Sequence, residues 1–489
     1  MKRTWSGTYL AALVAIASAP IGLAQADATA PVAPSSDAAL NVEHWGGFIE
    51  LPMMKLGVTL VFLTDANGVV SGAIDIPLQG AKGLPVTDAS ITDTTLVFSI
   101  PQVGASFQLE RTGDAAKGTL AQMGQQFPTT LHRYDSAEAA LASIQPNRPQ
   151  EPKPPFPYEV RQVSVENEAG DVTLAGELTV PNTRELHPAV ILISGSGPQD
   201  RNETIADHKP FLVIADHLTR NGFAVLRYDD RGMGGSTGST MQSTVRDFAS
   251  DVETWLEWLK AQPGIDTNHI GLFGHSEGGC VAPLVATGPM KDDVAFIVLM
   301  AGMAIPGDEV VIGQTRALFE RSGFPQTELK RLSSKQRELI DALRDNLPDD
   351  EVRTVLGELI DIQNQAGPLE GELRQRALDT QMSMLGSKWY RHLMTFDPRE
   401  ALRKVTCPML AINGSMDLQV LPEENLGAIR EAAAASGNSQ IEAIELEGLN
   451  HMMQPSESGL PAEYGLIPQT IDQQALDLIT DWLKQRVTK

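Results

Sequence analysis

The chain has 489 residues, of which 42% are hydrophobic and 20% carry charged side chains, a composition typical of globular domains. One hydrophobic core rarely organises a chain of this length, so we expect two or more folding units. The formal net charge of -24 repels nucleic acid and anionic lipid surfaces, which excludes both as expected partners.

The first residues have the layout of a signal peptide. Lys2 and Arg3 precede an apolar run over residues 9–19, and Ala24-Gln25-Ala26 fits a cleavage site with small residues. The run is short for a membrane-spanning helix, which is the alternative interpretation. We therefore expect residues 1–26 to be removed and the mature protein to be periplasmic or secreted, without stable membrane insertion.

Residues 27–138 are predicted to form a small β-domain. Residues 58–63 and 69–76 are strand-like and flank the turn Asp65-Ala66-Asn67-Gly68. Further short strands are predicted over 96–100, 106–110 and 129–133. Closure into a lipocalin-like barrel, or curling of the sheet, would remove the exposed strand edges. The segment shows no catalytic constellation, so we expect a structural or docking module, with substrate guidance as the alternative.

A proline-rich stretch over residues 139–157 is predicted to be an extended linker, because proline disrupts regular elements. From residue 158 to 489 the pattern changes. An opening hairpin (160–165 and 172–180) is followed by apolar strands that alternate with amphipathic helices, which predicts a mostly parallel sheet covered on both faces. The expected strands are 189–193, 223–228, 270–273, 294–300, 409–412 and 441–446.

The alternation stops between about residues 307 and 404, where apolar positions follow a helical spacing. A helical insertion between two strands is expected to be a cap above the carboxyl ends of the strands, where open α/β sheets bind substrate. Helices packed away from the site are the alternative. Four cap residues are expected either to enclose an acyl chain or to lie in the core: Met382, Met384, Trp389 and Met394.

The segment Gly274-His275-Ser276-Glu277-Gly278 follows an expected strand and precedes an expected helix. Such an abrupt strand-to-helix turn exposes the serine side chain, and the flanking glycines leave room for the close approach. The amino end of the helix also directs N–H groups at developing negative charge. Ser276 is therefore the predicted nucleophile.

Serine needs a base to take its proton, and in this kind of sheet the acid and then the histidine follow the serine in the chain. Only His392 and His451 follow Ser276, and His392 precedes any suitable acid. His451 lies in the loop after the last expected strand and is the predicted base. Asp417, after the strand 409–412, is the predicted acid that orients the imidazole.

An oxyanion hole needs two donors. The backbone N–H of Glu277 is one, and the other is expected from the loop Ser194-Gly195-Ser196-Gly197-Pro198. Ser196 is the preferred donor and Gly197 the competitor. The polar residues 199–203 are expected to brace the loop, with substrate contact as the alternative.

No cofactor or metal site is expected. The glycine-rich segment 229–236 lacks the lysine and spacing of a phosphate-binding loop, so we interpret it as a turn after a strand. Cys280 and Cys407 are the only cysteines. Their positions beside the nucleophile and before an apolar strand favour buried free thiols over a disulfide, and no Cys/His cluster has metal-ligand spacing.

These motifs resemble bacterial α/β-hydrolases of the carboxylesterase and serine-aminopeptidase-like type, including exported esterases with an N-terminal β-domain. The segments that carry the resemblance are 194–203, 228–232, 274–278, 413–417 and 450–451. It implies an α/β-hydrolase fold with a helical cap and a cofactor-free esterase that acts on a small-molecule ester through an acyl-enzyme; a homo-oligomer is compatible with this. The alternatives are an exported serine aminopeptidase for short peptides and a non-catalytic binding protein on the same fold.

Overall fold

The computed structural model describes residues 41–487 except 52–53, 78–80, 123–124, 146, 184 and 365–368. The expected signal peptide, residues 1–26, lies outside the described residues. The chain divides into two compact units between Asn147 and Arg148, and this division falls inside the stretch expected to be a linker.

In its described residues, the first unit contains eight strands: β1 (Asn41–Leu51), β2 (Met54–Thr64), β3 (Val70–Ile76), β4 (Ala81–Ile91), β5 (Thr95–Ile100), β6 (Ala105–Thr112), β7 (Ala115–Gln122) and β8 (Gln125–Tyr134). Each strand pairs antiparallel with the next, and β1 also pairs with β8, so the sheet closes into a barrel. The expectation of a small β-barrel is confirmed.

The pattern missed β1, β4 and β7, because glycine and proline inside a strand are normally turn signals. Gly47 of β1 is needed for close approach: a Cβ atom there would collide with the Thr130 carbonyl oxygen of β8. Strand β4 contains Gly83 and Pro85, and its pairing with β5 shifts register between Thr87 and Ser90. These irregularities let the sheet curl and close.

The barrel interior is filled by apolar side chains, as the diameter of an eight-stranded barrel permits. Phe98 is fully buried, stacks on Phe107 with 4.3 Å between ring centroids, and meets the edge of Phe62 at 5.4 Å. A helix, α1 (Ala137–Ile144), follows β8, and the Ser136 side chain caps it by accepting from the Ala139 N–H. This helix occupies the beginning of the stretch that we expected to be an extended linker.

The second unit contains a sheet whose described strands are β9 (Tyr158–Asn167), β10 (Val172–Pro181), β11 (His187–Ile193), β12 (Ala224–Tyr228), β13 (Ile265–His275), β14 (Phe296–Met300), β15 (Met409–Gly414) and β16 (Ile441–Leu446). Their spatial order is β9-β10-β12-β11-β13-β14-β15-β16. The predicted opening hairpin is confirmed, because β9 and β10 pair antiparallel, and the sheet is parallel from β12 to β16. This is the α/β-hydrolase fold.

Helices cover both faces of this sheet, as the alternating pattern predicted. They are α2 (Pro210–Arg220), α3 (Val245–Lys260), α4 (Gly278–Val285), α11 (Pro422–Ser436) and α13 (Gln473–Val487), while a short helix, α12 (Pro461–Tyr464), lies in the connection between β16 and α13. Trp255 and Leu256 of α3 belong to one buried apolar layer, while Phe211 of α2 and Ile479 of α13 belong to the other. The sheet is thus buried between two cores.

Between β14 and β15 the chain is helical: α5 (Gly307–Arg321), α6 (Gln326–Arg344), α7 (Asp349–Gln363), α8 (Gly371–Leu385), α9 (Lys388–Leu393) and α10 (Arg399–Leu402). None of the described helices is both long and apolar enough to cross a membrane. Cys280 and Cys407 are free, as expected, but only Cys280 is fully buried.

Candidate active site

Ser276 lies at the turn between β13 and α4, in the left-handed backbone conformation with φ of 52°. A side chain on either flanking glycine would collide with backbone: Gly274 with the Gly278 carbonyl, and Gly278 with the Ile193 carbonyl. The strained turn is held by a hydrogen bond from the Ser276 N–H to the Met300 carbonyl oxygen, at 3.2 Å. The predicted serine therefore has the backbone geometry of a nucleophile elbow.

Asp417 and His451 form a hydrogen-bonded pair near this turn. His451 Nδ1 lies 2.9 Å from Asp417 Oδ2, and both side chains are buried. The other carboxylate oxygen, Oδ1, accepts hydrogen bonds from the backbone N–H groups of Gln419 and Val420, at 2.8 and 2.9 Å. A carboxylate held in this way keeps the proton of a neutral imidazole on Nδ1 and leaves Nε2 as the acceptor.

One small cavity of about 50 Å³ brings the predicted reactive groups together, because Ser276, His451 and Ser196 all line it. Val310 and Leu393, from α5 and α9, also line it, so the helical insertion covers the site at the carboxyl ends of the strands. Much larger clefts lie among the insertion helices and are lined by many charged side chains. They contain none of the predicted site residues.

The proposed oxyanion loop after β11 lies directly against the elbow. A Cβ atom on Gly195 would lie only 3.0 Å from the Ser276 Cβ atom. The Gly195 N–H donates to Glu203 Oε1 at 2.7 Å, which removes it as an oxyanion donor. Ser196 lines the cavity with Ser276, whereas Gly197 lines a separate small cavity. This geometry favours Ser196 over Gly197, and the oxyanion hole stays a prediction.

The profile of the X-Pro dipeptidyl-peptidase (S15) family matches residues 169–445, which is more than half of the chain. The chain belongs to the S15 family. The matched region includes Ser276 and Asp417 and ends shortly before His451.

Other proteins similar to this S15-family chain include the esterase EstD of Thermotoga maritima, which is 27% identical over 322 residues, or 65% of this chain and 67% of EstD. An uncharacterised protein of Escherichia coli is 26% identical over 265 residues, 54% of this chain and 83% of its own length. Among solved structures, an esterase of Pyrococcus furiosus has 17% identity and a TM-score of 0.42, covering 70% of this chain and 98% of its own.

The family match and the similarity to an esterase together identify the enzyme class. The S15-family chain is a serine hydrolase of the α/β-hydrolase superfamily.

The polar residues after the oxyanion loop brace it. The Arg201 guanidinium forms an ion pair with buried Asp229 at 2.6 Å. Asp230 accepts from the Ser194 hydroxyl at 2.7 Å and from the Gln199 N–H at 2.9 Å. Full burial raises the pKa of Asp230 well above its usual range. The segment 229–236 is therefore a structural turn of the S15 chain, as expected. Its Asp229 and Asp230 hold the oxyanion loop in place.

The Glu277 side chain is a feature that the pattern did not indicate, since we expected only its backbone N–H to act. Its carboxyl group is buried, and the indole N–H of Trp389 from α9 donates to both oxygens at 3.1 and 3.0 Å. Burial raises the pKa of Glu277 to about 7, although hydrogen bonds from Trp389 and Ser196 act in the opposite direction. This contact connects the helical insertion to the elbow of the S15 chain.

A second imidazole–carboxylate pair lies beside the first. His275 Nδ1 is 2.8 Å from Glu203 Oε1, and His275 Nε2 is 3.2 Å from the His451 carbonyl oxygen. The exposed fraction is 0% for Glu203 and 1% for His275. No spacing rule pairs residues 203 and 275, so sequence reasoning missed the pair and treated Glu203 as one of several bracing residues.

Proposed function

We propose that the protein is a carboxylesterase in which Ser276, His451 and Asp417 form a catalytic triad. The observation that carries the proposal is the buried His451–Asp417 hydrogen bond of 2.9 Å, with His451 and Ser276 lining one cavity. A serine in a strained elbow next to an oriented imidazole is suited to nucleophilic catalysis at a carbonyl carbon.

In the proposed reaction, His451 Nε2 takes the Ser276 hydroxyl proton while Ser276 Oγ bonds to the ester carbonyl carbon. The Ser196 and Glu277 N–H groups stabilise the oxyanion, and Asp417 stabilises the imidazolium. His451 then gives its proton to the departing alkoxide, which leaves as the alcohol. Water, deprotonated by His451, then bonds to the acyl carbon, the bond from that carbon to Ser276 Oγ breaks, and His451 returns the proton to Oγ as the acid leaves.

The cavity favours an ester with a short acyl group. Its volume is about 50 Å³, and its apolar lining includes Met303, Val310, Val311 and Leu393. Each methylene group that cannot enter such a pocket costs roughly 1–3 kcal/mol of discrimination. The four cap residues proposed from sequence to enclose an acyl chain are not among the lining residues, and Trp389 instead hydrogen-bonds Glu277.

A serine aminopeptidase is the second candidate, and one observation favours it. Glu203 lines the cavity, and its buried Oε2 atom meets no donor among the described residues. A carboxylate in that position could receive the ammonium group of a peptide. Asp200, a second acid in the same loop, already accepts from the N–H groups of Asn202 and Thr204 and from the Thr204 hydroxyl.

Turnover of p-nitrophenyl acetate, butyrate and octanoate, compared with that of X-Pro and aminoacyl anilides, tests this proposal. We expect ester hydrolysis with preference for the short chains, and its loss in Ser276→Ala but not in the control Ser436→Ala at the end of α11. Cleavage of anilides alone would overturn the esterase assignment. Failure of Ser276 to react with a fluorophosphonate would favour a non-catalytic binding protein.

The proposed export has its own test. If residues 1–26 are a signal peptide, N-terminal sequencing of the protein recovered outside the cytoplasm should begin at Asp27. Retention of Met1 on that material would contradict the proposal.

A further inference from the structure

The elbow contains two imidazole–carboxylate pairs side by side, with 4.8 Å between the ring centroids of His275 and His451. Only the His451–Asp417 pair has a role in the reaction proposed above. We propose that His275 and Glu203 are positioning residues, whose buried pair holds the backbone of the catalytic histidine and the oxyanion loop in place through one retained proton. The inference rests on the proposed role of Ser276 and His451.

The partners of His275 determine how many protons the pair holds. Nδ1 faces the Glu203 carboxylate and Nε2 faces the His451 carbonyl oxygen, and a carbonyl can only accept. A neutral imidazole has a single N–H and cannot satisfy two acceptors. The pair therefore holds one extra proton, either as an imidazolium beside a carboxylate or as a neutral imidazole that accepts from a protonated Glu203.

The electrostatic surroundings agree with this count. Burial lowers the pKa of His275, but the Glu203 carboxylate, its hydrogen bond, the His451 carbonyl and the Asp417 carboxylate act together to raise the pKa above its ordinary value of 6.5. Among the described residues, the titratable groups around the ring include Glu203, Asp417 and His451. The pair thus keeps its proton to higher pH than an ordinary imidazole would, and loses it as the pH rises through the raised value.

The pair connects two loops that the reaction needs. Glu203 Oε1 accepts from His275 and also from the Gly195 N–H at 2.7 Å, and Gly195 directly precedes Ser196, the preferred oxyanion donor. On the other side, His275 Nε2 holds the backbone carbonyl of His451. Loss of the proton breaks one of these two hydrogen bonds. The oxyanion loop and His451 are then no longer held in a fixed position relative to each other.

Two further observations indicate a positioning role. Glu203 has φ of 52°, an uncommon conformation for a residue with a side chain, which is typically retained where surrounding structure enforces it. A buried ion pair also adds little net stability compared with apolar packing. The physical consequence of this pair is therefore the orientation of its neighbours.

The test is Glu203→Gln, which keeps the shape of the side chain but cannot retain the imidazolium. Without the carboxylate, only the His451 carbonyl and Asp417 oppose the effect of burial on His275, so its proton is lost at lower pH. We expect kcat for p-nitrophenyl acetate to fall about 10- to 100-fold, as for other supporting partners of reactive groups, with KM nearly unchanged. The basic limb of the kcat/KM profile should move to lower pH.

A matched control is Asp266→Asn, which makes the same change beside another histidine. Asp266 Oδ2 lies 2.7 Å from His269 Nδ1, on the part of β13 remote from Ser276. This variant should keep the wild-type kcat and pH profile. The rate at which a fluorophosphonate labels Ser276, measured against pH in every variant, reports the same positioning without any choice of substrate.

The outcomes separate this inference from the proposed function. Wild-type protein that cleaves only anilides would overturn the esterase assignment, while the labelling rates would still test the pair. Wild-type protein in which Ser276 is not labelled would overturn both.

A Glu203→Gln protein that folds and keeps the wild-type rate, or loses rate equally at every pH, would overturn the positioning role alone. If Glu203→Gln does not fold, His275→Asn and Glu203→Asp replace it. His275→Asn should slow labelling, and Glu203→Asp, which keeps the charge, should restore the basic limb. Failure of all three to fold would make the pair a folding element and overturn the inference.

Discussion

The barrel and the α/β sheet solve the problem of strand edges in opposite ways. In the barrel each strand pairs with its neighbour in sequence and the first strand pairs with the last, so no edge is left open. In the second unit, chain order and sheet order differ, and the loops after β13, β15 and β16 converge at the carboxyl ends of the strands, where Ser276, Asp417 and His451 lie. An open parallel sheet therefore provides a place where distant residues meet.

The two units also differ in what they bury. The described core of the barrel is apolar except for residues such as Glu43, whose carboxylate is bonded to the Trp45 indole. The second unit buries Glu203, Glu277 and Asp417 around the elbow. Because buried ionisable groups are costly unless paired, their concentration marks the functional part of the molecule. Substitutions of the buried ionisable groups around the elbow should therefore affect activity, and those in the barrel core should affect stability alone.

The largest effect is expected for Asp417→Asn. The amide oxygen can still accept from Gln419 and Val420, but its NH2 group would face His451 Nδ1 and favour the wrong tautomer. We expect kcat/KM for p-nitrophenyl acetate to fall by roughly 10⁴-fold, with the melting temperature little changed. An Asp417→Asn enzyme within tenfold of wild type would show that Asp417 does not orient the base.

Phe98→Ala tests the barrel side of the comparison. Phe98 is fully buried against Phe62 and Phe107, so its truncation should cost about 3–5 kcal/mol of barrel stability. Calorimetry should show a lower transition for the barrel, while kcat at 20 °C stays at the wild-type value. The exposed Val69→Ala is the control. A matching loss of kcat in folded Phe98→Ala would show that the barrel takes part in the reaction.

Glu277 should make the stability of the second unit depend on pH. The unfolded chain releases this proton near 4.5, whereas the folded chain holds it to about 7. The contribution of Glu277 to stability should therefore be greatest below pH 4.5, decrease between the two values, and stay about 3 kcal/mol lower above pH 7. Urea unfolding between pH 4 and 8 should show this contribution as a difference between wild type and Glu277→Gln. Equal slopes in both proteins would contradict it.

The smallest effect is expected for Leu393→Ala, which enlarges the cavity beneath α9. Leu393 is buried and lines the cavity with Ser276. Removal of its side chain should raise the kcat/KM ratio of hexanoate to acetate esters by about tenfold, the lower end of the discrimination typical of one methylene group. Leu347→Ala, at a more exposed position between α6 and α7, should leave the ratio unchanged. A change of equal size there would indicate a general loosening of the helices.

The strands of the second unit were predictable because their apolar runs and intervening helices follow the periods of buried parallel strands and amphipathic helices. Ser276 was predictable from a local pattern as well. A side chain at Gly274 or Gly278 would collide with the backbone, so the turn requires glycine at both positions and the sequence shows it. Strands β1, β4 and β7 were not predictable. Their glycines and prolines, which normally indicate turns, lie inside strands here and allow the barrel to close.

By itself, the sequence determined the barrel-plus-hydrolase organisation and the order of Ser276, Asp417 and His451, because periodicity and elbow glycines are local properties. Only the tertiary structure decided what surrounds them: Trp389 on the Glu277 carboxyl, and Glu203 joined through His275 to the His451 backbone. Such contacts join residues that are far apart in the chain, and no local sequence pattern predicts them. They depend on which loops the sheet brings to one edge.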